Sequence, residues 1–214
     1  MKISLISCHT ENYNNFAQYT WQNKEHYAKK WNYDHFLKTT NFNSKLINFE
    51  RCYMMLELFE KGYDWICWTD SDMHITNHLI SLEQFIYQGA TIVTSCDFNG
   101  LNNGFMFVQN TEKTKFILNK MIELEPIYMY KPFKEQQILM EMEKESKDWG
   151  IKILPQMMVN SYDYSLYCQI KGAKDHNDFL GFNGSWQPGH FIIHYPDQKN
   201  YIRENGIKNA QIIE

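Results

Sequence analysis

The sequence predicts a single α/β domain: a Rossmann-like, mostly parallel sheet flanked by helices. Two observations predict it. Apolar runs of strand length alternate with amphipathic stretches of helix length, starting with strand, helix and strand between Lys2 and Leu37. No internal repeat, low-complexity tract or linker interrupts the 214 residues, and a chain of that length buries roughly 70% of its unfolded surface in one core. The domain is expected to span residues 1–214, with its core ending at about 197 and a C-terminal tail over 198–214.

Each element has its own signal. Lys2 to Cys8 is rich in Ile, Leu and Ser, as a buried strand is, and the polar loop His9 to Asn15 follows it. Phe16 to Trp31 reads as a helix with Tyr19, Asn23 and Tyr27 on one face, and Tyr33 to Leu37 as the next strand. Leu46, Phe49, Tyr53, Leu56 and Phe59 recur at steps of three and four, which marks a helix that Lys61-Gly62 stops. The apolar run Tyr63 to Thr69 is a strand, with Asp70-Ser71-Asp72 at its end. Ala90 to Ser95 and Phe105 to Val108 are further strands, the second entered through a tight turn at Asn102-Asn103-Gly104. Helices are expected over about Glu112 to Leu124 and Lys134 to Ser146, and late strands at Ile151 to Leu154 and Phe191 to Ile193. Lys171 to Gly189, rich in Gly, Asn, Asp and Pro, reads as a long loop.

Charge and composition exclude several classes. The formal net charge is −4, and the longest basic cluster is Lys29-Lys30. A protein that grips nucleic acid by its phosphates carries a basic stripe, so nucleic acid is not the expected partner. Five scattered cysteines with no Cys-x-x-Cys pair read as free thiols in a reducing compartment. The opening residues turn polar too soon for a signal peptide. No stretch approaches the roughly 20 apolar residues of a membrane helix, so the expected location is the cytoplasm. Aromatic residues make up 16% of the chain; most serve the core, and ring faces also suit sugar C–H surfaces.

The chemistry centres on Asp70-Ser71-Asp72. Ligands collect at the carboxyl ends of strands in open α/β sheets, and two carboxylates one residue apart at such an end can share one ligand. An Asp-x-Asp in a surface loop is ordinarily a solvated turn; the buried strand leading into Asp70 changes that reading. All-oxygen ligation favours Mg²⁺ or Mn²⁺. Such a cation would neutralise the nucleoside diphosphate that leaves when a nucleotide-sugar reacts. His194 follows the apolar run Phe191-Ile192-Ile193 at another strand end, and as a third ligand beside Asp72 it would favour Mn²⁺ over Mg²⁺.

Several segments in order resemble one family. They are Tyr27 to Tyr33; Trp65 to Asp72; Asn102 to Asn110; Glu135-Gln136; Pro155-Gln156 with Asn160-Ser161-Tyr162; and Gly189 to His194. Across roughly Lys2 to Pro196 the chain resembles the galactosyltransferase, mannosyltransferase and xyloglucan xylosyltransferase family, glycosyltransferase family 34. The resemblance implies a GT-A fold, a Mn²⁺ ion, a UDP- or GDP-sugar donor, a glycan or other hydroxyl acceptor, and transfer with retention. It assigns Asp72 and His194 to the metal, with Asp70 touching the metal, its water or the ribose. Ser7, His9, Thr10 and Tyr13 would cradle the nucleoside, beside Asp70 and Ser71. Asn102, Asn103 and Gly104 would line the sugar side of the cleft, and Glu135 and Gln136 would sit beside the anomeric carbon as the catalytic pair. The chain departs from the family at His190 and Glu135, where Asp is usual.

Two other readings use the same residues. Nucleotidyl transfer or donor hydrolysis also occurs on such folds, but the loop Ser7-Cys8-His9-Thr10-Glu11 lacks the Gly and Lys of a nucleotidyltransferase. A non-catalytic carbohydrate-binding protein would not need Asp70, Asp72, His194 and Gln136 together.

Overall fold

The structure is a computed structural model, and it describes residues 1–166 and 176–214. In chain order the regular elements are β1 (Ile3–Cys8), α1 (Asn14–Trp31), β2 (Asp34–Lys38), α2 (Ile47–Glu60), β3 (Trp65–Thr69), β4 (Met73–Ile75), β5 (Ile92–Asp97) and β6 (Gly100–Gln109). They continue with α3 (Glu112–Tyr128), α4 (Lys134–Glu145), β7 (Ile151–Leu154), α5 (Gln156–Val159), β8 (Ser161–Tyr162), β9 (Ile192–His194) and α6 (Asn200–Asn209).

The main sheet has the order β2-β1-β3-β6-β5-β7. Only β6 runs against its neighbours; the β1–β2, β1–β3 and β5–β7 pairs are parallel. The expected mostly parallel α/β sheet is therefore what forms. Its inner strands β1 and β3 are buried along their whole length because both faces are covered. Ile66 and Trp68 of β3 face a core made with Phe49, Met55 and Leu58 of α2 and Leu118 of α3. Trp65 and Cys67 face the other way, toward Tyr27 and Ala28 of α1, Phe105 and Phe191.

A second, three-stranded sheet, β4-β9-β8, lies beyond the end of β3. Its register pairs Met73 with His194, and Tyr162 with His194 on the other side. Short strands of two and three residues carry little periodicity, and sequence patterning shows only the apolar part of β9.

Two expectations change. The expected turn at Asn102-Asn103-Gly104 is inside β6; the hairpin turns instead at Phe98-Asn99, where the Asn99 N–H donates to Asp97 Oδ1 at 2.6 Å and Gly100 takes φ +118°. Opposite Thr94 and Ser95 the register jumps from Met106 to Asn102. The intervening residues form a bulge that Thr94 Oγ1 spans by donating to the carbonyls of Asn102 and Phe105, both at 2.9 Å. Bulges re-aim side chains, and this one turns 102–104 toward the end of β3. The second change concerns 198–214, expected to be a tail. Residues 200–209 form α6 against α1, and Asn77 pairs with Ile213.

Cys8, Cys52, Cys67 and Cys96 are buried and free; Cys168 lies outside the described residues. The expected loop Lys171 to Gly189 lies outside them up to 175. From 176 it includes a turn whose Phe179 N–H donates to the Asp97 carbonyl at 2.9 Å. Among the described residues no helix is long and apolar enough to cross a membrane.

Candidate active site

The triplet Asp70-Ser71-Asp72 occupies the turn between β3 and β4. The Asp70 N–H extends the β3–β6 ladder to Gly104 O (2.9 Å), and the Met73 N–H closes the turn on Asp70 O (3.1 Å). Because β4 pairs with β9, the turn that ends in Asp72 meets His194. The ligand atoms of Asp70, Asp72 and His194 all lie within 4.8 Å of one another. His194 Nε2 is 3.1 Å from Asp72 Oδ1 and 4.0 Å from Asp70 Oδ2.

The donor set fits a divalent cation. Asn160 Nδ2 donates to Cys96 O (3.2 Å), so its Oδ1 faces His194 Nδ1 at 2.6 Å and accepts that proton. The Nε2 lone pair then points at a carboxylate oxygen, an arrangement that needs a shared cation or a proton between them. A ligating histidine is usually fixed in this way through its other nitrogen. A second cluster, His26, His78 and Glu214, also brings ligand atoms together, but its chemistry is wrong. The Asn23 amide is fixed by Ile75, accepting from its N–H and donating to its C=O (both 2.9 Å), and it also donates to His78 Nε2 at 3.0 Å. That leaves the proton on Nδ1, so neither ring nitrogen offers a free lone pair.

Among the described residues three cations surround the acidic turn, and no sequence motif marks any of them as a site residue. Arg51 of α2 is buried; it reaches Asp70 Oδ1 at 3.0 Å and Glu135 Oε1 at 3.3 Å and donates to Asn103 O. Trp68 Nε1 adds a 2.8 Å bond to the same Asp70 oxygen. Lys24 of α1 lies beneath the turn and donates to Asp70 O (2.7 Å) and Ser7 Oγ (3.1 Å). Burial pushes its ammonium down to about 8, with the Asp70 and Asp72 carboxylates pulling the other way. Arg203 of α6 reaches Asp72 Oδ2 at 2.9 Å. Burial works to raise the Asp72 carboxyl, but His194 and Arg203 outweigh it and hold it below the usual range.

A cleft opens over this turn in two lobes. One, of about 240 Å³, includes His9, Tyr13, Phe16, Ile47, Ser71 and Arg203 in its wall. The other, of about 330 Å³, is walled by Asp97, Asn102, Asn103, Glu135, Gln136 and Tyr162 among others. Arg51, Asp70 and His194 belong to both. Of the expected nucleoside-side residues, His9 and Tyr13 line the first lobe. Ser7 and Thr10 do not: the Ser7 hydroxyl donates inward to Thr69 O at 2.7 Å.

On the other side, Asn102 Nδ2 donates to Asp97 Oδ2 (3.0 Å) and Tyr162 OH (3.2 Å), while its Oδ1 accepts from the Gly104 N–H (3.0 Å). Asn103 donates through its N–H to Gln136 Oε1 (3.1 Å) and through Nδ2 to Glu135 Oε1 (3.3 Å). Glu135 is buried, which raises its carboxyl against the pull of Arg51, and among the described residues its Oε2 has no hydrogen-bond partner. Asp97 was not anticipated either; burial raises its carboxyl too. Gly104 leaves room for the cluster, since a Cβ there would lie 2.7 Å from His194 Cε1.

A glycosyltransferase involved in glycosylation of the major capsid of PBCV-1 superposes with a TM-score of 0.74 at 15% identity, covering 97% of this chain and 99% of that one. The fold is that of the GT-A glycosyltransferases. The glycosyltransferase GlyE of Streptococcus pneumoniae TIGR4 gives 0.66 at 16% identity, over 94% of this chain and 56% of its own. The galactosyltransferase LgtC, solved with donor and acceptor sugar analogs, gives 0.59 at 12% identity over 99% and 97%. At the sequence level no family model and no curated protein matches. The GT-A fold agrees with the one implied by the motifs; at these identities the likeness concerns the fold.

Proposed function

We propose that the protein is a divalent-cation-dependent glycosyltransferase. It moves a hexose or pentose from a UDP- or GDP-sugar to a hydroxyl of a glycan or similar acceptor, with retention at the anomeric carbon. The observation that carries this reading is the meeting of Asp70, Asp72 and an oriented His194 at the boundary of a two-lobed cleft. The GT-A fold supports it. Asp70, Asp72 and His194 would hold Mn²⁺, or Mg²⁺ in its place, and the ion supplies Lewis-acid stabilisation of the leaving diphosphate.

The protein's own residues divide the remaining work. His9 and Tyr13 bound the lobe that receives the nucleoside. Arg51 and Trp68 fix the Asp70 carboxylate, and Glu135 in turn holds Arg51, so the acidic turn is preorganised. Glu135, committed to Arg51 and Asn103, is a positioning residue. The Gln136 amide, held by the Asn103 N–H, lines the sugar lobe and is the better candidate for the developing positive charge at the anomeric carbon. Asn102, Asp97 and Tyr162 form a polar floor that orients sugar hydroxyls.

The test is a panel of UDP- and GDP-sugars with Mn²⁺, following nucleoside diphosphate release with and without EDTA, for wild type and Asp72→Asn. The expected result is release from one donor class that EDTA stops, and a loss of at least about 100-fold in the nearly isosteric variant. Asp72→Asn turnover at the wild-type rate would refute the proposal.

A further inference from the structure

The role of Arg203 follows from how it is held. Both oxygens of Asp72 are engaged: Oδ1 faces His194 Nε2 at 3.1 Å and Oδ2 accepts from Arg203 Nη2 at 2.9 Å. Arg203 is anchored at the other end of its guanidinium, where Nε donates to Tyr195 O at 3.0 Å and Nη1 lies 3.4 Å from Asn200 Oδ1. It packs over the rings of Phe16 and Tyr13, 5.1 and 5.6 Å from their centroids, and it is part of the wall of the nucleoside-side lobe. The charged tip thus sits between the metal ligand and the space a nucleotide would fill, tethered behind and open in front.

A guanidinium on a carboxylate competes with a cation for the same lone pairs. A planar fork of donors also matches a phosphate as well as it matches a carboxylate. We infer that Arg203 is an internal stand-in cation: it occupies Asp72 while the site lacks metal, and it transfers its hydrogen bond to the diphosphate when metal and nucleotide bind together. Arg203 opposes binding of the metal alone and favours binding of metal with a nucleoside diphosphate.

This inference rests on the donor site proposed above, and it makes a prediction of opposite signs that a purely structural residue would not produce. The experiment is direct binding of Mn²⁺ alone, and of UDP and GDP at saturating Mn²⁺, to wild type, Arg203→Gln and Arg203→Lys, by calorimetry. Circular dichroism and a thermal melt check that each variant is folded. Arg203→Gln is expected to bind Mn²⁺ alone at least about fivefold more tightly, because the competing ion pair is largely buried and is worth no less than a surface pair. It should bind the nucleoside diphosphate about 10- to 100-fold more weakly, the worth of a charge-assisted hydrogen bond. Arg203→Lys keeps the charge, so its affinity for Mn²⁺ alone should stay near wild type. Should Arg203→Gln not fold, Arg203→Lys decides: Mn²⁺ affinity rising in it as the charge is retained would overturn the inference. Unchanged or weaker Mn²⁺ binding by a folded Arg203→Gln would overturn the transfer and leave the donor site standing. Absence of both Mn²⁺ and nucleotide binding in every form would overturn the donor site and this inference with it.

Discussion

Gly104→Ala tests the site through its packing. The added Cβ would lie 2.7 Å from His194 Cε1, 3.1 Å from Asn102 Oδ1 and 3.2 Å from Asp70 Oδ2. Carbon atoms in contact sit about 3.5–4.0 Å apart, so the shortfall against the imidazole is roughly 0.8 Å. The backbone of Gly104 is not in the left-handed region, so the strain is entirely steric. His194 cannot yield cheaply: it is 2% exposed, Asn160 holds its Nδ1, and Tyr162 packs on it edge-on with centroids 5.5 Å apart. Overpacking of this kind costs about 1–3 kcal/mol, which for a chain of this size lowers Tm by roughly 2–12 °C. Displacing a ligand by a fraction of an ångström also acts as loss of an orienting partner does, weakening Mn²⁺ binding about 10- to 100-fold. A thermal melt and a Mn²⁺ titration of the same sample read both effects. Wild-type Mn²⁺ affinity and Tm together would refute the close packing of Gly104 under His194.

Arg51→Leu removes the guanidinium that pairs with both the buried Glu135 and Asp70, and denaturant unfolding should show a loss of about 3–5 kcal/mol. Adding Glu135→Leu to the same chain should recover part of that loss, because the uncompensated buried charge is gone. His35, stacked on Trp21 with both ring nitrogens buried and, among the described residues, unpartnered, is pushed by burial, with help from Lys24, down to about 3. The unfolded chain therefore takes up a proton that the folded chain refuses. Stability is complete above about pH 6.5 and falls toward pH 3, by about 2 kcal/mol at pH 5. From pH 7 to pH 5 the denaturant midpoint of wild type should fall relative to that of His35→Phe, which has no imidazole to protonate on unfolding; a constant difference between the two would contradict it.

The part of the site visible in the sequence was the part with a local signal. Asp70 and Asp72 follow five consecutive buried residues of β3, and His194 ends an apolar run of β9. Both are strand ends, where a side chain's position follows from the strand itself. Arg51, Lys24, Arg203 and Asp97 carry no such signal, because their meaning comes from what packs against them. Asp72 and His194 are 122 residues apart, and only the β4–β9 register joins them. For Lys24 a cue existed. Thr20, Asn23, Lys24 and Tyr27 fall on the buried face of α1, where polar side chains require partners. They find them in the acidic segment: Thr20 donates to Ser71 O, Asn23 to Ile75 O, Lys24 to Asp70 O and Tyr27 to Ile80 O. The tyrosine and asparagine spacing marked the helix correctly, and that face holds the turn in place. The turn expected at Asn102–Gly104 failed for a related reason: Asn and Gly favour turns locally, but here a bulge uses the small residue to admit His194.

The charges around the turn support one more expectation. Asp70, Asp72 and Glu135 are matched by Lys24, Arg51 and Arg203, so the site is close to neutral before anything binds. A divalent cation alone would leave it with about two uncompensated positive charges in a partly desolvated place, which is costly. A sugar diphosphate brings about two negative charges, and the pair together restores the balance. Metal and nucleotide should therefore bind cooperatively, and by linkage each should raise the other's affinity by the same factor, of the order of 5- to 150-fold. Mn²⁺ titrations with and without saturating UDP or GDP, and the reverse titrations, measure that factor twice. Mn²⁺ binding that is indifferent to both nucleotides would show that the three cations do not set the electrostatics of the site.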